Sequence, residues 1–119
     1  MRAACTAVLI VLAGPAPALS DPAEIVDAEA VRSGDAWRVS VTLRHGDTGW
    51  DDYADGWRVV LDGEVLGTRV LTHPHVTEQP FTRSHTVEIP EGVEAVEIEA
   101  STNVGGWEGE RFRLELPSE

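Results

Sequence analysis

Five side chains have the type and spacing to hold a metal ion: His45, Asp47, His73, His75 and His85, which include all four histidines of the chain. In an extended segment residues i and i+2 project to the same face, so His73 and His75, separated by Pro74, can converge on one ion. Pro74 holds its own φ at about −65° and biases His73 toward extended backbone, which stiffens the pair. His45 and Asp47 repeat the i, i+2 relation. Two such pairs on neighbouring loops are a nitrogen and oxygen ligand stock suited to Zn(II) or Cu(II), with His85 in reserve as a fourth ligand. A second reading stands beside this one: His73-Pro74-His75 is a turn whose rings cap backbone carbonyls and pack.

The stretch from Asp47 to Gly56 is rich in acids, among them Asp51, Asp52 and Asp55. Calcium fits it less well than a transition metal fits the histidines. An EF-hand loop alternates acids from its first position and places Glu at its twelfth, and neither holds here. Aromatic residues are interleaved with these acids, so a rival function is a non-catalytic surface for a protein or glycan, built from Trp50, Asp51, Asp52, Tyr53, Glu78, Phe81 and Trp107. The alternative role for Trp50 and Tyr53 is a lid over the open end of a core. No catalytic constellation is visible. The chain has no Gly-x-Ser-x-Gly and no phosphate-cradling glycine loop, and Ser84 and His85, as adjacent strand residues, point to opposite faces.

The elements that must position these residues are strands. Beyond Asp21 the apolar residues alternate with polar ones and no helical period is sustained. Trp37, Val39, Val41, Leu43 and His45 share one face of a strand, and Arg38, Ser40, Thr42 and Arg44 the other. Further strands are predicted at about 25–31, 57–62, 64–71, 84–89, 95–102 and 110–116, with Asp62-Gly63 as a two-residue hairpin turn. Seven short strands without a crossover helix predict an all-β, antiparallel sandwich of the immunoglobulin-like or fibronectin type III-like kind, with a small barrel as runner-up. Connections between antiparallel strands alternate between the two ends. Tight turns at Ser33–Asp35, Asp62-Gly63 and Pro90–Gly92 fall at one end. The longer loops at 46–56, 72–83 and 103–109 fall at the other, and that end is the expected working surface.

The chain has 119 residues, room for one domain, and carries 21 Asp and Glu against nine Arg and no Lys, for a net charge of −12. Such a surface repels nucleic acid and anionic lipid. Residues 1–20 are expected to be a signal peptide: Arg2 precedes an apolar run to Gly14, and Ala18-Leu19-Ser20 offers a small-x-small cleavage pattern. That run is well short of the ~20 residues that span a bilayer. The mature domain is then 21–119, a monomer without a thiol, because the one cysteine, Cys5, leaves with the leader. Periplasm or extracellular space is the expected destination, with a protein of the cell envelope as the class of partner.

The stretch from His45 to Trp57 (HGDTGWDDYADGW), with Leu66–Leu71 (LGTRVL) and His73–Phe81 (HPHVTEQPF), resembles a family of small exported bacterial proteins of unassigned function. The resemblance covers about residues 36–116 and implies export and a β-sandwich. The chain is also similar in outline to periplasmic copper carriers of the sandwich type, which place a histidine ligand at the mature N-terminus. Here that position would hold Asp21-Pro22-Ala23. The lead expectation is therefore an exported accessory protein that binds Zn or Cu through its loop histidines, and the rival expectation is the aromatic and acidic interaction surface.

Overall fold

The structure is a computed structural model that describes residues 21–118; the predicted leader, 1–20, lies outside the described residues. Seven strands follow in order: β1 (Glu24–Ser33), β2 (Ala36–Arg44), β3 (Ala54–Leu61), β4 (Glu64–Val70), β5 (Phe81–Val87), β6 (Ala95–Thr102) and β7 (Phe112–Glu115). They form a three-stranded sheet, β1-β2-β5, and a four-stranded sheet, β4-β3-β6-β7, with every pairing antiparallel. Among the described residues no helix is long and apolar enough to cross a membrane.

Period-2 alternation decides which faces meet. Val39, Val41 and Leu43 of β2 oppose Trp57 and Val59 of β3 and Ile98 of β6 across the interior, and all six side chains are almost wholly buried. Each contributes about 1.5–3 kcal/mol by leaving water. Asp62 and Gly63 both take positive φ, 49° and 83°, as the primed hairpin turn between β3 and β4 requires. The long loops do gather at one end, since β2, β4 and β6 all finish there.

Two strand starts differ from expectation by three residues. β3 begins three residues before Trp57, and β5 begins at Phe81 rather than at 84. The polar run Thr82-Arg83-Ser84 hides β5 in the sequence, because this is an edge strand: its outer side chains pair with hydroxyls of β2, Thr82 with Thr42 and Ser84 with Ser40, each at 2.7 Å. Arg83 and His85 fall at its inward positions, opposite Val41 and Val39. Inward-placed polar groups on an edge strand discourage further strand pairing. Gly67 of β4 lets the two sheets approach here, as a Cβ on it would sit 3.2 Å and 3.3 Å from the methyls of Val87.

Candidate functional site

His45 is the first residue past β2, and the chain doubles back so that the Asp47 N–H donates to the His45 carbonyl at 2.9 Å. The Asp47 side chain is fully buried, with 0% exposure. Its Oδ1 accepts from His45 Nδ1 at 2.6 Å and from the Ala54 N–H at 3.0 Å, and its Oδ2 accepts from the His75 N–H at 2.8 Å. One carboxylate thus ties the 45–53 loop to the start of β3 and to the 71–80 loop. On the other side of the ring, His45 Nε2 donates to the Asp21 carbonyl at 2.9 Å and lies 3.6 Å from Asp52 Oδ1. Both ring nitrogens face acceptor oxygens, and a metal ion at His45 would have to displace one of these contacts. Gln79 completes the lock: its Oε1 accepts from the His45 N–H and its Nε2 donates to the His75 carbonyl, each at 3.0 Å.

His75 is equally buried, at 5% exposure, and its ring stacks on Phe81 at 3.9 Å between centroids and 9° between planes. Arg83 Nη2 donates to His75 Nε2 at 3.0 Å, so that lone pair is occupied. Burial first, then the Arg83 guanidinium and His73, lower the His75 pKa below its usual value, against a smaller opposing pull from Glu78 and Asp47. The ring is therefore neutral with its proton on Nδ1, which finds no acceptor among the described residues. His73 is exposed, with its ring 4.5 Å from that of His75, and its Nδ1 donates to the Pro74 carbonyl at 3.0 Å.

His45, Asp47 and His75 are thus brought together, in a hydrogen-bonded lock with the His73 ring tilted against that of His75 at its rim. His85 is not among them. It was expected at the start of a strand, but the early start of β5 places it in the strand interior, edge-on to Trp57 at 6.4 Å, roughly 13 Å of strand away from Phe81. Among the described residues no three His, Cys, Asp or Glu side chains are grouped so as to hold a metal ion.

The aromatic residues are disposed differently. Trp50 is 66% exposed and meets Tyr53 edge-on at 5.6 Å, while Trp107 is 39% exposed and lies over the Arg58 guanidinium at 4.0 Å. Asn103 joins their loops: its Oδ1 accepts from the Tyr53 N–H, and its Nδ2 donates to the Trp50 carbonyl, each at 2.9 Å. Its own N–H donates to the Tyr53 carbonyl at 3.1 Å. Val104, beside it, is exposed. Asp51 and Glu78 are also exposed and Asp52 is half-buried. Phe81 does not belong to this surface: it is 3% exposed, because it opens β5 opposite Leu43 and packs in the core. Asn103, Gln79, Arg83 and Val104 escaped the sequence reading. Each acts through a loop contact made 4 to 53 residues away or by exposure alone, and only the Asn in a turn left any local signal.

No family model matches the chain, and no solved structure matches it. A "Putative lipoprotein" of Halomicrobium mukohataei is 42% identical over 98 residues, which cover 81% of this chain and 48% of that protein. The chain therefore spans about half the length of the curated relative it matches, and that relative's name carries no activity.

Proposed function

We propose that this chain is a non-catalytic interaction module of an exported protein, an immunoglobulin-like or fibronectin type III-like sandwich. Its long-loop end docks a partner through Trp50, Tyr53, Val104 and Trp107. The observation that carries the reading is the exposure of Trp50 on a loop whose backbone is pinned by Asn103. An aromatic held in the open on a rigid base binds with little ordering cost. The histidines support the same reading, because both ring nitrogens of His45 and Nε2 of His75 are engaged in contacts that hold the loops. The lipoprotein name of the relative supports a place outside the cytoplasm, in the cell envelope, the periplasm or the medium.

The test compares the chain with a Trp50→Ala, Trp107→Ala variant for retention of envelope proteins, with identification of what is retained. Proteins held by the first and lost by the second are the expected result. Equal retention by both refutes the reading. Thermal unfolding with EDTA, then Zn(II), Cu(II) and Ca(II), is the companion measurement. A rise in midpoint of roughly 10–20 °C at a hundred-fold excess over Kd, abolished by His73→Ala with His75→Ala, would replace the interaction reading with a metal site.

A further inference from the structure

Resting on that reading, we propose that the partner presents a cationic segment, bearing Arg or Lys side chains, to the rim formed by Trp50 and Trp107. Each exposed tryptophan is followed directly by an exposed acid, Asp51 in one loop and Glu108 in the other. Neither acid has an ion-pair partner among the described residues. Three arginines of β2, β3 and β5 are already engaged: Arg58 with Glu99 at 3.1 Å, Arg83 with Glu78 at 3.3 Å and Arg44 with Glu24 at 3.7 Å. The rim therefore offers the open ring of Trp50, the part of Trp107 that Arg58 leaves uncovered and two uncompensated carboxylates, and a guanidinium or ammonium group can meet ring and acid together.

The molecule already contains one instance of the contact. Arg58 stacks on Trp107 at 4.0 Å while pairing with Glu99, which is the arrangement of ring, cation and acid that a partner's side chain would complete at Trp50 and Asp51. A net charge of −12 with no lysine steers cations toward this surface and repels acidic partners. A neutral glycan could stack on the rings but would leave both carboxylates without a counter-charge.

The probe is a fluorescein-labelled nonapeptide of alternating Arg and Gly, with citrulline in place of Arg as the neutral control, read by anisotropy with the full chain at about 0.05 M NaCl. Binding of the Arg peptide alone is expected. Trp50→Ala should weaken it about fivefold or more, and Trp50→Phe should keep most of it. Asp51→Asn with Glu108→Gln should weaken it similarly, whereas Glu29→Gln with Glu64→Gln, exposed acids on other strands, should change it less than about twofold. Circular dichroism checks that each variant is folded. Equal losses from the two acid pairs would reduce the binding to bulk charge attraction and overturn the proposal, as would an unchanged Trp50→Ala. Quenching of tryptophan fluorescence by a neutral hexasaccharide, with no peptide binding, assigns the rim to glycan instead. Failure of the peptide while envelope proteins are still retained through Trp50 and Trp107 overturns the cationic assignment alone; loss of both overturns the interaction reading itself.

Discussion

Replacing Asp47 by alanine should cost this domain a large part of its stability. The side chain is fully buried and accepts three hydrogen bonds, from the His45 ring, the Ala54 N–H and the His75 N–H. Alanine leaves all three donors in the interior without an acceptor, each at about 1–3 kcal/mol. Relaxation and entry of water recover part of this, which brings the expected loss to about 3–5 kcal/mol, the upper end for breaking a buried hydrogen-bond network with one substitution. Against a total of about 5–15 kcal/mol, and with about 4–8 °C per kcal/mol for a domain of this size, the midpoint should fall by roughly 12–40 °C. Urea unfolding at pH 7.5, followed by circular dichroism, measures the free energy, and a thermal scan measures the midpoint. Asp47→Asn should fall between: its oxygen can still accept two of the donors, but its NH2 then faces the third. Asp51→Ala, four residues on and exposed, should change stability by less than about 0.5 kcal/mol. A loss below about 1 kcal/mol for Asp47→Ala would refute the argument that this carboxylate holds the loops together.

Two further outcomes follow from the same geometry. The His75 pKa is lowered in the folded state, so the unfolded chain binds the proton more readily; stability due to this group is present above about pH 6.5 and is lost as pH falls from there through the folded value. Urea unfolding from pH 8 to 5 should show a steeper loss for the native chain than for His75→Gln, and parallel curves would sink the idea. Gly67→Ala should destabilise by about 1–3 kcal/mol, because its Cβ would press on Val87, itself held in the core; thermal stability equal to the parent's would show that the seam between β4 and β5 yields freely.

Much of the architecture was legible because it depends on local signals. Alternation from Trp37 to Leu43 marks a half-buried strand, and Asp62-Gly63 can adopt positive φ, so the strand count, the hairpin and the gathering of long loops at one end all follow from residues close in sequence. β5 was misplaced because its polar residues are legitimate on an edge strand, a status that is set by the sheet and not by the segment. The candidate site divides in the same way. His45 and Asp47 do meet, but through a tight turn in which the Asp47 N–H donates to the His45 carbonyl and not through extended period 2, and their contacts depend on which donors the 71–80 loop and the start of β3 bring to Asp47 from 28 and 7 residues along the chain. Phe81 and Trp50 are both aromatic residues among acids and loops, and only the sheet partner Leu43 buries the first while the Asn103 clasp leaves the second in water. Sequence by itself determined backbone conformation and side-chain direction, which are short-range consequences of sterics and period. Tertiary structure alone decided burial and hydrogen-bond partnership, because both depend on atoms distant in the chain, and those two properties distinguish a side chain that ties loops together from one left in solvent, and a core ring from an exposed one.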